Sequence, residues 1–179
     1  MFDGCFIEKI IAFFRGACYT KEKITYRKLC AQGKGGARSM YSAVELSKYI
    51  VTKCISDGQP ISNLQLQKIL YFVQKTYLNK GMRAFSEEIE AWQFGPVVPE
   101  SYYRFAGFGA MPISLSYNDV NIAPSDKEIV NPIVEAKRKM NPWELVEETH
   151  KPNGAWSQIY RDGSGNREVI PIGLIKAEG

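Results

Sequence analysis

Four segments of this chain carry the chemistry of a helix N-terminus, and no other feature limits the fold as tightly. Ser42-Ala43-Val44-Glu45 and Ser62-Asn63-Leu64-Gln65 both fit the capping box, in which two side chains satisfy the orphan backbone donors of the first turn reciprocally. Ser125-Asp126-Lys127-Glu128 repeats the pattern. Asn141-Pro142-Trp143-Glu144 offers asparagine as the cap and proline, its φ already set, at the first helical position. Each start opens an amphipathic stripe. The first predicts a helix over 43–56 with Val44, Ile50, Val51 and Cys54 inward, Leu46 flanking and Asp57-Gly58 as the stop. The second aligns Leu66, Ile69, Leu70, Val73 and Tyr77 before Asn79-Lys80-Gly81. The third aligns Ile129, Ile133, Val134 and Met140, with Pro132 sitting awkwardly inside it.

Between the second and third starts the period changes. Ile89 to Phe94 alternates, turns at Gly95-Pro96 and stiffens again at Pro99, so a short extended arm is expected. Pro99-Glu100 then opens a short aromatic helix, Ser101 to Phe105, ended by Gly107 or Gly109. Residues 111–122 read as extended chain with turns, and 161–166 as a loop. Val169 to Ile172 reads as an extended piece before a final short turn. A chain of 179 residues with 45% hydrophobic content can bury one good core. The expected fold is therefore mainly α: a compact multi-helix single domain with a short extended or β element around 89–98 and 111–122.

The net charge of +4 is unevenly placed. Residues 1–39 hold eight basic and three acidic residues, +5, which leaves −1 for residues 40–179. A nucleic-acid reader needs a basic face to displace phosphate counterions, so the body is a poor candidate for one. Among the cysteines (Cys5, Cys18, Cys30, Cys54) no pair is spaced C-x-x-C, and the single histidine, His150, lies far away. Neither a metal site nor any cofactor is expected. No apolar run approaches the roughly 20 residues of a membrane span. A signal peptide does not fit either, with Asp3 where a basic region belongs and Glu8-Lys9 interrupting the apolar run. The chain reads as cytoplasmic.

Residues 1–39 stand apart as an N-terminal extension. Ile7, Ile10, Ile11 and Phe14 fall on one helical stripe, followed by a basic stretch ending in Gly33-Lys34-Gly35-Gly36, which lacks the spacing and the Lys-Ser/Thr pair of a phosphate loop. Three readings compete: an extra helix and linker, a basic nucleic-acid arm, and a non-native leader translated from too early a start. Lys-Gly-Gly can be encoded by a purine-rich ribosome-binding sequence shortly before Met40, which suits the third.

Two strings carry a family resemblance. Leu64-Gln65-Leu66-Gln67-Lys68-Ile69-Leu70-Tyr71-Phe72-Val73-Gln74, with Glu90-Ala91-Trp92-Gln93-Phe94-Gly95-Pro96-Val97-Val98-Pro99, resembles the Panacea domain of the SocA-like antitoxins, a family also met in prophage-encoded proteins. Similarity runs from about Met40 to the end, and Glu147-Glu148-Thr149-His150 with Ala155-Trp156 resembles the C-terminal signature. Gly154-Ala155-Trp156 stands where the family usually shows Pro-Trp. The resemblance implies an antitoxin that binds and neutralises a cognate protein toxin, without enzymatic activity. Some members resemble proteolytic adaptors that deliver the toxin to a Clp-type protease.

The candidate toxin-binding residues are Trp92, Phe94, Gly95, Pro96, Val97, Tyr102, Arg104 and Tyr71. Trp92 and Phe94 alternate onto one face of a stiff segment, and large rigid aromatics suit either core packing or binding anchors. Gly95-Pro96 is a turn device that would present Val97 on a preset backbone. Tyr102, Tyr103, Arg104, Phe105 and Phe108 have the composition of an interface centre, with core filling the alternative for about half of them. Gln67, Lys68, Tyr71 and Gln74 put polar tips along the second helix, which reads most plainly as a solvated face. His150 near a helix end suits capping better than catalysis. Glu87, Glu88 and Glu90 lack a partner histidine, and Gly163-Ser164-Gly165 is not a nucleophile elbow. The rival readings are a DNA-binding autoregulator, a prophage-encoded protein-interaction module, and a hydrolase using His150.

Overall fold

Helices α1 (Ala43–Ser56) and α2 (Asn63–Asn79) begin where the capping chemistry places them, in a computed structural model that describes residues 40–178. Both boxes close: Ser42 and Ser62 accept from the backbone N–H three residues on, and Glu45 and Gln65 reach back to the cap. The readings of residues 1–39 lie outside the described residues. A two-stranded antiparallel hairpin follows, β1 (Glu90–Trp92) pairing with β2 (Gly95–Val97), and then α3 (Pro99–Phe105), which tightens into a 3-10 turn at Ala106–Phe108. Four more helices complete the chain: α4 (Pro124–Lys137), α5 (Pro142–Thr149), α6 (Ala155–Tyr160) and α7 (Ile172–Ala177). The fold is mainly α, seven helices and a hairpin among the described residues.

α2 is the hub. It packs against α1, α3, α4, α5, α7 and β2, and eleven of its seventeen residues are buried. A helix buried nearly all round cannot keep a solvated face, and this is where the structure departs from expectation. Gln67, Lys68, Tyr71 and Gln74 are all 1% exposed or less. The predicted stripe of Leu66, Ile69, Leu70, Val73 and Tyr77 is buried as well.

In α1, Leu46 is central to the core, whereas Val44 is only half-buried and Ala43 takes its place. The Ser125 start is a correction. The cap is Ala123 with Pro124 at the first helical position, so Ser125 already lies inside the helix and caps nothing. Pro132 does not interrupt α4. It is exposed and so is Glu128, one turn earlier, where water can solvate the carbonyl that loses its partner. Residues 111–122 form no strand. Ile113 donates to the Ile61 carbonyl (2.9 Å) beside an isolated bridge, Ser62 to Pro112. The chain does run extended along β1 at 168–170, entered from a turn at Arg167, through Arg167 N–H to Ala91 (2.7 Å), Ala91 N–H to Glu168 (2.8 Å) and Ile170 N–H to Ile89 (2.7 Å).

Candidate protein-interaction site

Much of the stretch from Ala84 to Val98 is buried, and the β1–β2 ladder with the 167–170 contacts covers only its middle, so polar backbone groups at its two ends need other partners. The polar side chains of α2 supply them. Gln74 Oε1 accepts from Ala84 N–H (2.9 Å) and Phe85 N–H (3.3 Å), while its Nε2 donates to the Phe85 carbonyl (3.0 Å). Gln67 Oε1 accepts from Val98 N–H (3.0 Å), and its Nε2 donates to Asn63 Oδ1 (3.0 Å) and Ser101 Oγ (3.3 Å). Lys68 Nζ donates to the Pro96 carbonyl (3.1 Å). The Gln-Lys string and the Trp-x-x-Gly-Pro-Val string thus belong to one device, in which the helix grips the hairpin.

Gly95 is where the two elements approach most closely. Its φ is +99°, and a Cβ there would lie 2.7 Å from Thr149 Oγ1 and 2.8 Å from Lys68 Nζ. Only glycine satisfies both the left-handed backbone and the missing volume. Beyond Thr149, the His150 ring stacks on Trp156 at 3.5 Å with the planes 2° apart, and Tyr160 stacks on the same indole at 4.6 Å. Trp156 Nε1 donates to the Trp92 carbonyl (2.8 Å), tying the C-terminal signature to the hairpin.

The electrostatics follow from burial. Lys68 has no carboxylate partner among the described residues, and desolvation pushes its ammonium down to about 7. Desolvation, and then the nearby Lys68 charge, pushes His150 down to about 4. With Nε2 buried and unpaired, the imidazole acts as a stacked packing ring. Tyr71 donates to Glu178 Oε2 (2.6 Å), and burial together with that carboxylate raises its phenol well above the ordinary value. Glu178 also accepts from the Ala155 N–H and Lys75 Nζ, which clasps the C-terminus onto α2.

The eight sequence candidates therefore separate. Gly95, Pro96, Val97 and Tyr71 are internal, and Trp92 is 4% exposed beneath Tyr102 (4.8 Å), Tyr103 (6.1 Å) and the Arg167 guanidinium (4.9 Å). Phe94 and Tyr102 are half-buried and Arg104 is exposed, so these three reach the surface. Phe94 meets Trp143 edge-on at 5.8 Å, and that indole is 37% exposed. Sequence reasoning used Asn141-Pro142-Trp143-Glu144 only as a helix start and overlooked Trp143 as a surface aromatic. Arg167 and Tyr117 were overlooked too, since their aromatic and cationic contacts join segments distant along the chain. An aromatic and arginine-bearing surface on a rigid base is suited to non-covalent association. Among the described residues no three His, Cys, Asp or Glu side chains gather to hold a metal, and no helix is long and apolar enough to cross a membrane.

Residues 66–157 match the family described as antitoxin SocA-like, Panacea domain. That span runs from α2 into α6 and holds Lys68, Gly95, Thr149 and Trp156 together. Antitoxin SocA of Caulobacter vibrioides is 34% identical over 127 residues, covering 64% of this chain and 68% of that protein. No solved structure matches the chain. The buried signature and these matches lead to one conclusion: the chain belongs to the SocA-like antitoxin family and carries its Panacea domain.

Proposed function

We propose that this chain is the antitoxin of a bacterial toxin–antitoxin pair, acting in the cytoplasm through non-covalent capture of a cognate protein toxin, with residues 40–179 as the functional unit. Membership of the SocA-like antitoxin family carries this reading. The surface that Phe94, Tyr102 and Arg104 reach is consistent with it, because aromatics and arginine dominate interface energetics. Neutralisation takes one of two forms, occlusion of the toxin's working surface or delivery of the bound toxin to a Clp-type protease.

Co-expression of the full chain with the protein encoded beside it tests the proposal. The neighbour alone should arrest growth, and the chain should restore it. A neighbour that is harmless, or whose toxicity persists in the presence of the folded chain, refutes the reading. The toxin's half-life then separates the two forms: it shortens only when both chain and protease are present under delivery, and it is unchanged under occlusion.

A further inference from the structure

The loop between α3 and α4 exposes two large apolar side chains, Met111 and Leu115, among polar neighbours, and it is held firmly. Ile113 is fully buried and its N–H donates to the Ile61 carbonyl (2.9 Å), which fixes one end. Thr52 Oγ1 fixes the other, accepting from the Tyr117 N–H (2.9 Å) and donating to the Tyr117 carbonyl (3.4 Å). Between these anchors Leu115 is 45% exposed, and Met111, just outside them, is 68% exposed. The short span leaves few backbone torsions to order on binding, so an association here keeps more of its contact energy than one through a loose loop.

Two cations flank this apolar ledge. Lys48 Nζ lies 5.1 Å from the Tyr117 ring centre, and the Arg104 guanidinium lies 5.6 Å from the same ring. Neither forms an ion pair among the described residues, and Glu100, one turn before Arg104 on α3, is not paired with it. With no carboxylate of their own among the described residues, both cations are complementary to an acidic side chain brought to this rim. An apolar centre with a cationic rim is the anatomy of a protein interface. Nucleic acid is the poorer fit, since residues 40–179 sum to −1 and one pair of cations makes few phosphate contacts.

We infer that the ledge formed by Met111, Leu115 and Tyr117, with Lys48 and Arg104 at its rim, is the toxin's docking face, and that the toxin presents an apolar side chain beside an acidic one. The inference rests on the antitoxin reading and adds the place and the chemistry of the contact.

The test uses the full chain and the purified neighbouring protein that it neutralises. Leu115→Ser and the double variant Lys48→Glu/Arg104→Glu are titrated with that protein in low and moderate salt, and each is unfolded in urea. Both variants should bind at least tenfold more weakly with unchanged unfolding midpoints, and the charge variant should lose most of the salt dependence shown by wild type. Met111→Ser supplies a second apolar probe if Leu115→Ser shifts the midpoint. Affinities within twofold of wild type in folded variants overturn the docking face while the antitoxin reading stands. Salt-dependent capture of duplex DNA that the charge variant abolishes, with toxin binding intact, overturns it in favour of nucleic acid. A wild-type chain that fails to bind the toxin at all removes both.

Discussion

Replacing Lys68 with methionine should make the protein less sensitive to pH and, at neutral pH, more stable. The side chain is fully buried, donates one hydrogen bond to the Pro96 carbonyl and titrates at about 7 because burial penalises its charge. In the unfolded chain a lysine titrates near its ordinary value of about 10.4. Between these values the unfolded state binds more protons than the folded state, so stability rises with pH across that window. Linkage over the interval from pH 7 to pH 9 gives a gain of about 2 kcal/mol for wild type. The charge penalty remaining at pH 7 is about 4 kcal/mol on the same basis. Lys68→Met removes that penalty with nearly the same volume but leaves the Pro96 carbonyl unpaired, which costs about 1–3 kcal/mol. The variant should therefore be more stable than wild type by about 1–3 kcal/mol at pH 7, and this advantage should disappear by pH 9. Urea unfolding of both proteins at a series of pH values measures it, and between pH 7 and pH 9, where His150 is neutral in the folded state, subtracting the curves isolates Lys68. A stability difference that stays constant between pH 7 and pH 9 would show that burial does not depress the Lys68 ammonium.

Three further perturbations probe the same cluster. Gly95→Ala places a methyl against Thr149 and Lys68 at a positive φ, and should lower stability by about 2–4 kcal/mol in thermal melts; a change under about 0.5 kcal/mol would show that the hairpin is not pinned there. Gln67→Leu strips the acceptor from the buried Val98 N–H and should cost about 1–3 kcal/mol, whereas a solvated glutamine would cost almost nothing. His150 is the single histidine, so its titration can be followed directly by NMR. Wild-type imidazole should titrate near pH 4, and in Lys68→Met, with the neighbouring charge gone, the midpoint should rise. Stability from His150 is present above the ordinary imidazole range and is lost as pH falls toward 4, and an imidazole titrating normally in the folded wild type would contradict the burial.

The helix starts at Ser42, Ser62 and Asn141 were legible because capping is local: cap and partner lie three residues apart. The Ser125 box failed for an equally local reason, since Pro124 set the first helical φ before Ser125 could act as a cap. The polar tips of α2 were misread because polarity alone does not reveal its partner. Gln67 answers Val98, Lys68 answers Pro96 and Tyr71 answers Glu178, all distant in sequence. The six-residue helices α6 and α7 are too short for periodicity to register. The candidate surface was legible in its chemistry but not in its geometry. Trp92 and Phe94 do not share a strand face: β1 ends at Trp92 and the hairpin turns at Gln93-Phe94 rather than at Gly95-Pro96, so the first is capped by Tyr102 and Arg167 while the second leans on Trp143.

If this chain holds a protein toxin, titration of the purified full chain with its neighbouring gene product will show it. Saturable, stoichiometric binding that survives His150→Ala, by a chain that also rescues growth, is the predicted result. A folded chain that shows no binding to a neighbour of proven toxicity would contradict it.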